Sequence, residues 1–120
     1  MITHEWANQF ARDWIDAWNA HDLDRVLAHY TADFEMSSPY TAKFAGEPSG
    51  TLRGRERVRA YWQNALTQFP DLHFELTGVF TGADSIAIHY RGVQGKQVVE
   101  VLFFDAAKKV HKALAHYDRE

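Results

Sequence analysis

The chain has 120 residues, no cysteine, and 13 basic against 16 acidic residues, for a formal charge of −3. Its length suits a single domain spanning 1–120, and the lack of cysteine excludes a disulfide scaffold, a thiolate nucleophile and Cys-ligated metal sites. The mild negative charge argues against nucleic acid or an anionic membrane as the main partner.

The first element is a helix over 3–19. Trp6, Phe10, Trp14 and Trp18 recur every four residues, Ala7, Ala11 and Ile15 widen that apolar face, and Arg12, Asp13 and Asp16 stay off it. The same N-terminal stretch carries Glu5, Arg12 and Asp13 where a secretion signal needs an apolar core. No run approaches the roughly 18 apolar residues of a membrane span. A cytoplasmic location is expected. Asp22 is positioned to cap a second helix through Tyr30, with Leu23, Val26 and Leu27 buried. Phe34 to Ser38 alternates like a short strand stopped by Pro39. Gly46, Pro48 and Gly50 mark 40–53 as a loop, either an ordinary surface connection or a lid carrying Tyr40. A third helix is expected over 55–69, ended by Pro70. Its entry carries Arg53, Arg55, Arg57 and Arg59, readable as a phosphate site or as a solvated face.

From Leu72 the period changes to two, predicting strands at 72–81, 85–91, 96–105 and 109–117. The joints are too short for parallel crossovers, so these strands form an antiparallel meander. Helices followed by a meander give an α+β fold with helices packed on one face of a sheet. The strand Val98-Val99-Glu100-Val101-Leu102-Phe103-Phe104 lacks the alternation of a half-wet strand, so both of its faces are covered. Helices cover one face. A second copy of the chain most simply covers the other, predicting a homodimer through the sheet.

The joint lengths place Glu100 beside Ala87 and diagonal to His89 on one side, and beside Ala115, near Ala113 and Tyr117, on the other. The opposite face then collects Ile86, Ile88, Tyr90, Val99, Val101, Phe103 and Leu114 as a candidate interface. Small neighbours leave Glu100 facing a hollow under the tryptophan-rich helices. A carboxylate there resists ionisation, which suits a general acid or an oxyanion donor. The alternative is a Glu satisfied by a basic or backbone partner without chemistry. Four Trp, five Tyr and eight Phe fit either a cavity lining or a core. The seven histidines show no metal-binding spacing: His111 and His116 point to opposite faces, and no HExxH occurs. No metal is expected.

The stretch from Trp14 through Asn19-Ala20-His21-Asp22-Leu23 to Tyr30, with Asp33-Phe34 and Ser38-Pro39, resembles the opening of NTF2-like proteins. Gly54, Pro70 to Glu75, Phe104-Asp105 and His116-Tyr117 resemble the SnoaL-like branch of that superfamily. The likeness implies a cone: a curved antiparallel sheet wrapped against three N-terminal helices, enclosing a pocket and often dimerising through its outer face. Ketosteroid isomerases, polyketide cyclases, dehydratases and epoxide hydrolases share that shape, as do non-catalytic transport domains. By resemblance to the isomerases, Glu100 takes the place of a protonated acid, Trp14 that of the oxyanion tyrosine and Ser38 that of the base. Tyr30 and Trp62 match supporting aromatics, and Tyr117 a pocket wall. A serine cannot act as that base and an indole donates one hydrogen bond, so steroid isomerisation itself is not expected.

Two functions follow. The first is cofactor-free proton transfer, of isomerase, cyclase or lyase type, on a small apolar carbonyl-bearing ligand. Glu100 and His89 are its catalytic candidates, and Trp14, Trp18, Tyr30, Ser38, Tyr40, Trp62 and Tyr117 contact the ligand. The second is a non-catalytic ligand carrier or dimeric interaction module. An open hollow favours the first, and a hollow plugged by Trp14, Trp18 and Trp62 the second.

Overall fold

A computed structural model describes residues 1–119. Helix α1 (His4–Asn19) begins where the Thr3 hydroxyl accepts the Trp6 N–H and buries the predicted face, from Ala7 to Trp18. Asp22 caps α2 (Leu23–Leu27), which is one turn and a half. It ends before Tyr30, which the sequence reading placed in the helix but which opens strand β1 (Tyr30–Ser37). The 40–53 segment is not a plain loop. Ser38 caps a short helix, α3 (Pro39–Phe44), with Pro39 in its first turn, and Thr51–Arg53 forms strand β2. Helix α4 (Arg55–Gln68) follows, entered through Gly54 at φ 96°, a backbone region open mainly to glycine.

Strands β3 (Glu75–Thr81), β4 (Ser85–Arg91), β5 (Gln97–Phe104) and β6 (Val110–Tyr117) form the expected meander. The first begins three residues later than predicted, because Leu72 to Phe74 are held from outside the sheet. His21 Nε2 meets the Leu72 carbonyl at 2.9 Å, while Asn19 donates to the Phe74 carbonyl (3.0 Å) and accepts its N–H (2.7 Å). The six-stranded sheet runs β2-β1-β6-β5-β4-β3. Strand β1 joins it parallel to β6, a long-range pairing that no hairpin length encodes. Among the described residues the fold is therefore a curved α+β sheet with four helices and a short 3-10 turn at Val93–Gly95, one helix more than expected.

Faces differ from the sequence reading at one hinge. The β4–β5 connection spans five residues, with Gly92 N–H bonded to the Lys96 carbonyl at 2.8 Å. Glu100 consequently pairs with Ile88, not Ala87. A slip of one residue exchanges the faces of a strand. Ile86, Ile88 and Tyr90 are thus buried on the inner side with Glu100, and His89 faces outward opposite Val99. The β5–β6 register is as predicted, with Glu100 opposite Ala115. The arginines before and within α4 are engaged: Arg53 with Glu35, Arg57 with Glu47, Arg59 with Asp24, and Arg55 with the Tyr30 carbonyl. That leaves them a paired surface rather than a phosphate cradle.

Asn19 is the clip between α1 and the approach to β3. Replacing it by Ala leaves a part-buried N–H and C=O of Phe74 unpaired, a loss of about 1–3 kcal/mol. Urea unfolding of Asn19→Ala against the wild type measures it; a change within a few tenths of a kcal/mol refutes the clip.

Candidate functional site

A cavity of about 470 Å3 lies between the inner face of the sheet and helices α1, α3 and α4. Its wall is aromatic and apolar: Trp14 and Trp18 from α1, Trp62 and Tyr61 from α4, Phe74 before β3, and Met36 from β1. The rings brace one another instead of filling the space. Trp18 stands edge-on to Trp62 at 4.9 Å, Trp14 edge-on to Tyr90 at 5.5 Å, and Phe74 lies 4.5 Å from Tyr90.

Glu100 sits on this lining in the middle of β5, between Ile88 and Ala115 on the neighbouring strands. The small Ala115 side chain also lines the cavity and leaves room beside the carboxyl group. The Tyr90 hydroxyl donates to Glu100 Oε1 at 3.2 Å. Oε2 has no hydrogen-bond partner among the described residues, and the residue keeps some accessible surface. Burial pushes the carboxyl up to about 7, against the opposing pull of the Tyr90 hydrogen bond. Burial, reinforced by the Glu100 charge, raises the phenols of Tyr90, Tyr30 and Tyr117 above the ordinary tyrosine value, so all three remain neutral donors near pH 7.

Of the residues singled out from sequence, Glu100, Trp14, Trp18, Ser38, Tyr40, Trp62 and Tyr117 all line the cavity. Two do not. Tyr30 is sealed in the core at 1% exposure and supports the site from behind, accepting the Trp14 Nε1–H at 2.9 Å and packing edge-on to Trp62 at 5.6 Å. That bond occupies the single donor of Trp14, which is then not free for a ligand oxygen. His89 lies on the outer face, its Nε2 2.9 Å from Gln97 Oε1. The register set by the five-residue connection separates it from Glu100. Ser38 is engaged in capping α3, accepting the Tyr40 N–H at 3.2 Å.

Sequence reasoning missed Tyr90, which it assigned outward, and Lys96, which ends the β4–β5 connection and lines the cavity. The signal for both was parity. Lys96, Val98 and Glu100 alternate along one strand, and Tyr90 shares their face once the connection is counted as five residues. Among the described residues no cluster of three His, Cys, Asp or Glu side chains is arranged to hold a metal ion, and no helix is long and apolar enough to cross a membrane.

The family model for the SnoaL-like domain matches residues 11–111. The chain belongs to the SnoaL-like family. A crystal structure of a SnoaL-like protein of unknown function from Burkholderia thailandensis E264 is 58% identical over 98% of both chains, with a TM-score of 0.96. AclR from Streptomyces galilaeus shares the fold at 18% identity and a TM-score of 0.75, over 96% of this chain and 80% of that one. SalBIII, an epoxide hydrolase/cyclase-like enzyme with a role in pyran ring formation in the polyether salinomycin, shares it at 15% identity and a TM-score of 0.74, over 98% of this chain and 94% of its own. No curated protein matches the sequence significantly.

The raised pKa of Glu100 has a thermodynamic consequence with a definite sign. A folded-state pKa above the unfolded value gives stability that is complete below about 4.3 and lost as pH rises through about 7. Relative to Glu100→Gln, the wild type should therefore lose about 1–3 kcal/mol of unfolding free energy between about pH 5 and about pH 8. Urea titrations of both proteins at the two pH values read the difference, and parallel curves contradict it.

Proposed function

We propose that this SnoaL-like protein binds a small apolar carbonyl compound and moves a proton on it without a cofactor, through Glu100. The observation that carries this reading is a carboxyl group on the wall of an open aromatic cavity, one oxygen held by Tyr90 and the other without a partner among the described residues. With a pKa of about 7, Glu100 is present in both forms near neutrality. As the carboxylate it takes a proton from the carbon next to the carbonyl. As the acid it returns that proton to another carbon of the resulting enolate, or to its oxygen. Each transfer leaves Glu100 ready for the reverse one, so no outside reactant is required. The neutral Tyr90 phenol stabilises the carboxylate form, and Tyr117 offers a second neutral hydroxyl on the same wall. His89 has no part in this chemistry.

The volume of the hollow, within the usual range for small-molecule sites, supports ligand binding over a plugged interaction module. A non-catalytic carrier would use the same cavity, and Ser38 in place of a carboxylate base favours that second reading. Hydrogen–deuterium exchange at the α-carbon of 2-acetylnaphthalene, followed by NMR, separates them. Glu100→Gln should reduce exchange by about 100-fold or more, with binding retained as judged by tryptophan quenching. Exchange unaffected by the substitution removes Glu100 from the mechanism. Tyr90→Phe removes a hydrogen bond that favours the anion, so the pH midpoint of exchange should move upward from about 7.

The outer face of the sheet supports a homodimer. Val99 is 37% exposed, and Val101, Phe103 and Leu114 around it are only partly covered. A second copy is the occupant this strip suits, since its uncharged centre can meet itself across a twofold axis. Val99→Glu should convert the species seen by analytical ultracentrifugation from dimer to monomer, and a wild-type monomer at high concentration overturns the assignment.

A further inference from the structure

The cavity holds a second charged group whose sign and distance from Glu100 restrict the ligand. Lys96, Val98 and Glu100 occupy alternate positions on one face of the chain as it enters β5, and all three line the cavity. Four residues of extended chain place the Cα atoms of the two charged residues about 13 Å apart. Glu100 lies deep in the middle of the strand, whereas Lys96 sits at the end nearest α3.

Lys96 is half-buried and held by an aromatic residue of α3. Its Nζ donates to the Tyr40 hydroxyl and lies 4.5 Å from the centroid of the Tyr40 ring. Both contacts are with a neutral group. Like the other lysines of the chain, and unlike most of its arginines, Lys96 forms no ion pair among the described residues. Lys43 of α3 lines the same end of the cavity and likewise forms no ion pair among the described residues. In a chain with a net charge of −3, two such cations on one cavity wall are a local reversal of sign. A phenol and a ring face position an ammonium group without neutralising it, leaving its charge for an incoming anion.

Building on the proposed proton transfer at Glu100, we infer that the ligand is an amphipathic keto acid. Its carboxylate seats on Lys96, its apolar body lies along Val98 and the aromatic wall, and its carbonyl end meets Glu100. A neutral ketone fills the cavity but leaves a partly desolvated ammonium without a counter-ion. A molecule with its anion and carbonyl close together cannot reach both groups.

The probes are 10-oxoundecanoate, whose extended length suits the separation, and its methyl ester, which keeps the ketone and removes the charge. Isothermal titration calorimetry at low salt should show the acid binding wild-type protein about tenfold or more tightly than the ester, the scale of one charge-assisted hydrogen bond. Lys96→Met should erase that preference while leaving ester affinity unchanged, and Lys96→Arg should restore most of it. Circular dichroism and melting of each variant verify the fold. Equal binding of acid and ester, a preference that survives Lys96→Met, or binding of neither probe overturns the inference. Glu100→Gln should keep the acid-over-ester preference. If that preference holds while Glu100→Gln leaves exchange unaffected, the anion site stands and the proton-transfer reading falls.

Discussion

The hydrogen bond from Gly92 N–H to the Lys96 carbonyl closes the β4–β5 connection and decides which way Glu100 points. With five residues in that connection, Lys96, Val98, Glu100, Leu102 and Phe104 share the inner face, and Val99, Val101 and Phe103 share the outer one. One residue fewer would turn the carboxyl outward onto the face of His89 and bring Val99 and Val101 inward. The local backbone reflects the demand. Gln94 and Gly95 take left-handed conformations inside a 3-10 turn, and a side chain at Gly92 would press on Val98 and Tyr90. Site and turn are thus one structural problem: the turn fixes parity, and parity fixes the electrostatics of the cavity.

Holding a cavity open beside a poorly solvated carboxyl group requires a frame that does not collapse into it. The aromatic residues provide that frame by packing on each other. Trp14 is fixed by its hydrogen bond to the sealed Tyr30, Trp18 by Trp62, and Phe74 by the two-point clip from Asn19. Closely packed rings lose contact energy if they swing into the void, so the hollow is the lower-energy arrangement of this particular wall. The cost of burying Glu100 is met by the same frame, through the Tyr90 hydroxyl that Trp14 and Phe74 hold in place.

Most of this architecture was legible in the sequence because most of it is local. The four-residue spacing of Trp6, Phe10, Trp14 and Trp18 defined α1 and its buried face, and the short joints defined the meander. Glu100 was legible as the lone charge in an apolar strand. What escaped depended on counting or on distance along the chain. Tyr90 and His89 exchanged faces because a connection read as four residues has five. Strand β1 beginning at Tyr30, and its parallel pairing with β6, rest on contacts some eighty residues apart. Helix α3 announced itself only by Ser38-Pro39, a cap and first-turn proline that the glycines downstream outweighed.

The two charges of the cavity are useful because they are kept apart. Opposite charges about 4 Å apart at an effective dielectric near 20 attract by about 4 kcal/mol, whereas at about 13 Å the attraction falls to about 1 kcal/mol. Adjacent on the strand face, Lys96 and Glu100 would make an ion pair. Glu100 would then ionise well below neutrality, and neither group would be available to a ligand. Two strand steps, with Val98 between, prevent that. Desolvation therefore governs Glu100 and raises it toward 7, with the Tyr90 hydroxyl as its opposing influence, while Lys96 rests on a neutral phenol at the other end.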